Sequence, residues 1–190
     1  MLIEEASNRK HNLVIESTMR VPDTFRKTSA LLRAKGYSVE AHVMAVRPSL
    51  SWLGVHLRFE RAIALAGHGR FTTRESHDAA VAGLPATLAV ISNERLSSSI
   101  SIWERGVETA TFTTVADAGS WSHAEHASDW LSAYWSRPPN SDDLADLQRG
   151  WALVIDMMQR RNAPAGEIED KQREGALALD LEARSQGHGR

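Results

Sequence analysis

Hydrophobic and polar positions follow two different periods along the first part of the chain, and this pattern predicts an α/β fold. Residues 12–17, Asn-Leu-Val-Ile-Glu-Ser, form a short apolar run that ends in polar side chains, as a buried parallel strand does. Helical spacing follows over 23–35, with Gly36 where a helix should end, and a second apolar run covers 38–46. A helix between two such runs indicates a right-handed βαβ unit.

The same signals predict the elements that follow. A long helix opens at Pro48 and ends at Gly67-His68-Gly69. The Leu84-Pro85 step separates two further helices, and two short strands come after them. The predicted ranges are 73–83 and 85–96 for these helices and 99–104 and 109–114 for the strands.

Alanine, tryptophan and charged residues dominate the chain from Ser120 onward. Pro138-Pro139 and Ala163-Pro164 divide this part into three helical stretches, the last over about 166–184. We therefore predict an α/β domain over residues 1–118 and a helical extension over 119–190. The tryptophans of the extension supply either core packing or a docking surface. They are Trp121, Trp130, Trp135 and Trp151.

Composition narrows the classes of function. The 190 residues are 42% hydrophobic and 24% charged with a formal net charge of -2, which argues against a general nucleic-acid or membrane-surface binder. The chain has no cysteine, so a disulfide framework and a thiol nucleophile are excluded. Its start lacks the pattern of a signal peptide, and its apolar runs are too short to cross a bilayer. We expect a cytoplasmic protein.

An ordered set of short motifs carries a resemblance to a known family. Each motif alone is weak, but their order and spacing over residues 10–105 are specific. The set consists of Leu13-Val14-Ile15-Glu16-Ser17-Thr18-Met19-Arg20, Leu32 to Tyr37, Val43-Met44-Ala45-Val46, Ser51-Trp52-Leu53-Gly54, Arg58-Phe59-Glu60, Arg70, His77-Asp78 and Leu84-Pro85. In this respect the chain resembles the C-terminal part of the zeta toxin kinases, which phosphorylate UDP-N-acetylglucosamine. The resemblance implies a partial P-loop-kinase-like parallel sheet flanked by helices, with ATP and Mg²⁺ as cofactors.

Two arginines are the catalytic and ATP-binding candidates that this resemblance implies. Arg58 on the long helix and Arg70 just beyond its glycine-rich end would converge on the phosphates of ATP. Phosphoryl transfer depends on positioning and on neutralising charge, and guanidinium groups do both. The alternative is a pair of solvated surface arginines.

The sugar-nucleotide candidates lie upstream. The resemblance assigns Glu16, Thr18 and Thr28 to the UDP-amino sugar, and Arg20 to either substrate. A carboxylate at a strand end can accept hydrogen bonds from a sugar hydroxyl. Simpler roles are an ion pair between Glu16 and Arg20, a turn cap for Thr18 and an ordinary helix-surface position for Thr28.

Two histidine groups have plainer interpretations. His77 and Asp78 are adjacent on a helix and point about 100° apart, so we interpret them as structural. His123 and His126, with Glu125 between them, can place two imidazoles on one helical face, but the sequence offers no third metal ligand. We predict no metal site there.

The phosphate-binding loop of the family is missing from these residues. No Gly-x-x-Gly-x-Gly-Lys-Ser/Thr pattern occurs, and the catalytic aspartate of such kinases would lie upstream of Met1. We therefore expect impaired kinase activity unless an upstream loop-bearing segment assists. The alternative is a non-catalytic remnant or a binding module that holds a sugar-nucleotide or the small helical antitoxin of the family.

Overall fold

The computed structural model describes residues 2–117, 120–123 and 126–187 of the 190-residue chain. Helices and strands are mixed up to residue 121, and the described elements that follow are helices. The bounds are α1 Leu2–Asn8, α2 Pro22–Ala34, β1 Glu40–Met44, α3 Pro48–Ala66, α4 Arg74–Glu94, β2 Ser99–Trp103, β3 Phe112–Asp117, β4 Ser120–Trp121, α5 Ala127–Ser136, α6 Ser141–Arg160 and α7 Ala165–Gly187.

The four strands form one mixed sheet in the order β1-β2-β3-β4. β1 and β2 are parallel, with Glu40 opposite Ser99 and Met44 opposite Trp103, and the chain between them contains α3 and α4. β3 and β4 add antiparallel neighbours. A parallel pair with a helical crossover is the signature of an α/β fold, so the predicted fold class is confirmed.

The strand predicted over residues 12–17 is wrong. This segment is irregular, and Val14 is 96% exposed. A strand exists only where a neighbour accepts its backbone hydrogen bonds, and the described residues provide none for this run. The expected βαβ unit therefore does not form, and β1 takes β2 as its parallel partner instead.

Three smaller differences concern boundaries. The helices predicted over 73–83 and 85–96 are one helix, α4, which continues through Pro85. Burial of Leu84, Leu88 and Ile91 in the same core offsets the hydrogen bond that the proline removes. The strand predicted over 109–114 begins only at Phe112, and the short β4 was not predicted.

Proline and glycine signals placed the helix ends well. Pro22 and Pro48 each occupy the first turn of their helix, where a missing N–H costs nothing. Gly36 and Gly67 have φ of 83° and 73°, in the left-handed region that ends helices. α2 and α3 consequently lie within two residues of the predicted bounds.

The chain divides into two compact units, each discontinuous in sequence. The first unit comprises residues 1–45 and 78–135, and the second comprises 46–77 and 136–190. The three predicted helices of the extension are present, but α5 belongs to the first unit whereas α6 and α7 belong to the second. The domain boundary at 118/119 stays a prediction.

Each unit has its own apolar core. In the first unit, one face of the sheet packs against α4 and α5. Its buried members include Val43, Leu88, Ile91, Ile100, Ile102 and Leu131. In the second unit, α6 packs against both α3 and α7. Its buried members include Trp52, Leu53, Leu147, Trp151, Val154 and Met158.

Buried polar groups fix the second unit as well. Asn140 caps α6 in a reciprocal capping box with Asp143. The same Asp143 accepts a hydrogen bond from Arg47 Nε at 3.0 Å, and Arg47 is only 5% exposed. Such a buried guanidinium is satisfied by several acceptors at once. It therefore fixes the start of α6 against the start of α3.

Candidate functional site

The connection between α3 and α4 carries one of the predicted arginines, and we call residues 67–73 the arginine loop. Its first residue, Gly67, ends α3 by donating its backbone N–H to Ile63 O at 2.8 Å. Its last residue, Thr73, caps α4 by accepting a hydrogen bond from Ser76 N at 3.2 Å. Both ends of the loop are thus fixed by local hydrogen bonds.

The middle of the arginine loop lies against α3. A Cβ added to Gly69 would lie 3.1 Å from Ala62 Cβ and from Phe59 O, so the glycine permits this close approach. The ring of Phe71 lies 5.2 Å from the rings of both His56 and Phe59 and 6.0 Å from Trp52. Sequence reasoning missed this contact, although a phenylalanine in a polar loop was a signal for it.

Arg58 and Arg70 both belong to the second unit. Arg58 donates from Nη2 to Thr72 Oγ1 of the arginine loop at 3.5 Å, and Arg70 is exposed between the anchored Gly69 and Phe71. Neither guanidinium has a carboxylate within 4.0 Å in the part of the chain that the structure describes.

Several other arginines of the second unit behave differently, since they are paired with acidic side chains. The pairs are Arg47–Asp143, Arg149–Asp146, Arg160–Asp156, Arg161–Glu60, Arg173–Asp170 and Arg184–Asp180. Two exposed guanidinium groups without an acidic partner among the described residues, on and beside an anchored loop, are available to an anion.

A half-buried carboxylate of α7 supports the aromatic contacts. Trp52 Nε1 donates to Glu174 Oε1 at 2.5 Å, and Lys171 Nζ lies 2.7 Å from the other oxygen of Glu174. Burial, followed by the charge of Lys171, lowers the pKa of the neighbouring His56 to about 4. His56 is therefore neutral near pH 7, and it packs its ring 4.7 Å from that of Trp52 and 5.2 Å from that of Phe71.

The predicted sugar-nucleotide residues belong to the first unit. Glu16, Thr18 and Arg20 are exposed at alternate positions of the irregular segment before α2. Between them, Met19 has φ of 49° and packs against the apolar core. The Met19 N–H donates to Ser17 Oγ at 3.2 Å, which closes a local turn. The alternate polar side chains are thus presented outward.

The structure bears on both interpretations of these residues. The strand end that was expected to present Glu16 to a sugar hydroxyl is absent, because residues 12–17 are not a strand. No ion pair joins Glu16 to Arg20 within the described ranges. Val21 occupies the cap position of α2 without a side-chain hydrogen bond, so Thr18 does not cap it.

Thr28 and the end of the exposed segment are held by α2 and α4. Thr28 is half-buried on α2, next to Ser29, whose hydroxyl donates to Leu96 O. A Cβ on Gly83 would lie 2.1 Å from Arg20 O, so the backbone of Arg20 rests directly on α4. Only glycine at this position of α4 allows that contact.

The histidine groups show no catalytic arrangement in the described part of the chain. His77 is buried with its ring 5.2 Å from Trp52, whereas Asp78 is exposed, which agrees with their structural interpretation. Glu125 lies outside the described residues. Among the residues that are described, no group of three or more His, Cys, Asp or Glu side chains could hold a metal ion.

Within the described ranges, no helix combines the length and the apolar character that a membrane span requires.

Comparison with known proteins gives one family. A family model described as Zeta toxin matches residues 1–116. Toxin zeta of Enterococcus hirae is 37% identical over 105 residues, which cover 55% of this chain and 37% of that protein. Toxin PezT of Streptococcus pneumoniae serotype 4 (strain ATCC BAA-334 / TIGR4) is 34% identical over 105 residues, which cover 55% of this chain and 39% of that protein. The chain therefore spans less than two fifths of the length of these relatives.

A solved structure resembles this chain over a longer range than the family model does. It comes from a molecular and structural characterisation of the PezAT chromosomal toxin-antitoxin system of Streptococcus pneumoniae, with a TM-score of 0.68 and 24% identity. The match covers 83% of this chain and 59% of that chain. Because 83% of the chain is more than residues 1–116, the shared fold reaches into the C-terminal helices, where the sequence motifs had given no specific match.

Proposed function

The chain belongs to the zeta toxin family, and we propose that it carries the residues with which a zeta-type kinase holds the phosphates of ATP and a UDP-amino sugar. The reaction is transfer of the γ-phosphoryl group of ATP to a hydroxyl of UDP-N-acetylglucosamine. The P–O bond to the β-phosphate breaks and its electron pair leaves with ADP, a bond to the sugar oxygen forms, and the hydroxyl proton passes to solvent water. We assign no general base to the residues of this chain.

One observation supports the phosphate site best. Arg58 and Arg70 are exposed and have no acidic partner in the described part of the chain, and the arginine loop, which contains Arg70 and accepts a hydrogen bond from Arg58, is anchored at several points. Charge on the transferred group spreads over its equatorial oxygens, so guanidinium forks held in place beforehand stabilise it. A flexible pair of surface arginines would lose more entropy on binding.

The described residues suit the phosphates of ATP better than they suit Mg²⁺. The two guanidinium groups fit the phosphates of ATP. The described residues offer no cluster of acidic or imidazole ligands for Mg²⁺, so we propose the ion only as one that ATP brings with it. When bound, Mg²⁺ neutralises charge on the phosphates, and we derive no step through it.

The exposed segment of the first unit supplies the sugar-nucleotide contacts in this proposal. The Glu16 carboxylate accepts hydrogen bonds from sugar hydroxyl groups, and the Thr18 hydroxyl donates one. Arg20 binds a phosphate of either substrate, and the half-buried Thr28 on the adjoining α2 faces the sugar. The exposure of Glu16, Thr18 and Arg20, without side-chain partners among the described residues, supports this role, because none of the three has to break an internal hydrogen bond before it binds.

A binding module is the second candidate. These 190 residues contain no glycine-lysine phosphate loop, so we consider binding by them apart from turnover. Such a module would hold the sugar-nucleotide or a helical antitoxin, since the similar solved structure comes from a toxin-antitoxin system.

Ligand binding and turnover test the two candidates together. Mg-ATP and UDP-N-acetylglucosamine are titrated separately into the purified chain by calorimetry, and a mixture of both is analysed for phosphorylated sugar-nucleotide by mass spectrometry. Arg58→Ala and Arg70→Ala should each weaken Mg-ATP binding by about 10- to 100-fold, from the 1.5–3 kcal/mol of a charged hydrogen bond. Arg149→Ala, which removes an exposed arginine from α6, is the matched control and should bind normally.

The outcomes separate clearly. Arginine-dependent binding with product formation supports the kinase. The same binding without product supports the binding module. A folded chain that binds neither ligand, or one that binds Mg-ATP equally well without Arg58 and Arg70, contradicts the proposed site.

A further inference from the structure

We propose that Phe71 is a positioning residue that fixes Arg70 in the orientation needed to bind phosphate; this inference rests on the proposed function. Phe71 makes no contact with ligand in this proposal and acts through the backbone of its neighbour. Its side chain is the only large apolar group of the arginine loop, and it follows Arg70 directly in sequence.

The ring of Phe71 is held by three aromatic side chains of α3. It meets Trp52 at an interplanar angle of 75° and Phe59 at 78°, which are edge-to-face contacts, and it is tilted at 54° to His56. Edge-to-face pairs at these distances are the favoured geometry of aromatic rings. The ring therefore has one preferred seat on the helix.

That seat is itself rigid. Trp52 is 4% exposed and donates its indole N–H to Glu174, while the guanidinium of Arg74 lies 5.1 Å from the centre of the Trp52 ring. Aromatic and charged contacts on several sides leave Trp52 little rotamer freedom. The position of Phe71 is thus determined by α3, α7 and the first turn of α4 together.

The backbone of Arg70 has little freedom between its anchored neighbours. Gly69 lies in close contact with α3 on one side, and Phe71 is seated on the other. Thr72 adds a weaker restraint through its hydrogen bond with Arg58. Without the Phe71 ring, residues 70–72 gain conformations, and the ordering entropy must then be recovered when phosphate binds. Phosphate affinity should therefore fall although Arg70 itself is intact.

The competing explanation is that Phe71 only stabilises the fold by packing. A double-mutant cycle distinguishes this role from an effect on phosphate binding through Arg70. Phe71→Ala, Arg70→Ala and the double variant are titrated with Mg-ATP. If Phe71 acts through Arg70, Phe71→Ala should weaken binding about 10-fold in the wild-type background and by less than about 2-fold in the Arg70→Ala background. Phe71→Leu, which keeps apolar volume in the seat, should recover most of the loss.

The control is Leu153→Ala on α6, because Leu153 is 40% exposed and Phe71 is 39% exposed in the same unit. Both truncations should lower the melting temperature by similar amounts, but only Phe71→Ala should weaken binding. Backbone order parameters from NMR relaxation of the unliganded proteins add a readout that needs no ligand. The order parameters of residues 70–72 should fall from about 0.85 to below about 0.6 in Phe71→Ala and stay unchanged in Leu153→Ala.

Failure of the inference and failure of the proposed function give different results. Equal losses from Phe71→Ala in both backgrounds, or unchanged order parameters at residues 70–72, overturn the positioning role while Arg70 still binds phosphate. If Arg70→Ala binds Mg-ATP as well as the wild type, the proposed phosphate site fails. The order parameters then still decide whether Phe71 orders the arginine loop.

Discussion

Two consecutive arginines at the end of α6 should contribute very differently to the stability of the protein. Arg161 donates from Nε and Nη2 to the two oxygens of Glu60 on α3 at 2.7 and 3.1 Å. Arg160 forms an ion pair with Asp156 one turn earlier on its own helix at 2.8 Å. The perturbation is alanine at either position, so the two variants differ only in which partner remains.

The loss in the free energy of unfolding depends on the carboxylate that each substitution leaves without its arginine. Arg161→Ala leaves the Glu60 side chain, 4% exposed, as a buried carboxylate without either hydrogen bond. Loss of one member of a buried pair costs about 3–5 kcal/mol, and we discount this to about 2–4 kcal/mol because the Arg161 side chain is 27% exposed. Arg160→Ala leaves Asp156 in solvent and should cost less than about 1 kcal/mol.

The assay is urea unfolding followed by circular dichroism for the wild type and both variants. Glu60→Gln combined with Arg161→Ala should be more stable than Arg161→Ala alone, because a neutral amide is less costly to bury than a carboxylate. Added salt should change the Arg160 result and leave the Arg161 result almost unchanged. Equal costs for the two arginines would refute the reasoning from burial.

Two further predictions concern pH and glycine. The pKa of His56 is lowered to about 4 by burial, whereas an unfolded histidine titrates near 6.5. The unfolded chain therefore binds the extra proton first, and stability should fall as pH drops from about 6.5 to about 4, by no more than about 3 kcal/mol. His56→Phe should flatten urea midpoints across that window, and an unchanged slope contradicts the assignment. Gly83→Ala should lower the melting temperature, because the new Cβ would collide with Arg20 O. Gly54→Ala in α3, with no atom within 4 Å of the new Cβ, should raise it slightly instead; a stabilised Gly83→Ala would disprove the close approach.

Local signals predicted the elements whose ends depend on their own residues. Pro22 and Gly36 bound α2, Pro48 and Gly67 bound α3, and proline breaks divide the C-terminal helices. These residues act through fixed φ, a missing N–H or a left-handed conformation, which are properties of the residue itself. The order of the motifs likewise identified the family, because it depends on sequence alone.

The candidate site was predictable only in part. Sequence motifs singled out Arg58 and Arg70 as phosphate-binding candidates, and their role stays a prediction. They did not indicate that Phe71 is seated on α3 or that Glu174 of α7 holds Trp52, which lies 122 positions away. Such contacts depend on packing between elements that no local pattern encodes.

Tertiary structure also decided what residues 12–17 become. Their composition predicts a strand, because leucine, valine and isoleucine are suited to a buried sheet. In the structure this run has no paired neighbour among the described residues and remains irregular, while β1 pairs with β2. The sequence by itself determined helix ends and family, which depend on residue conformation and motif order. The tertiary structure alone decided strand pairing and the seating of the arginine loop, since both require a partner from a distant part of the chain.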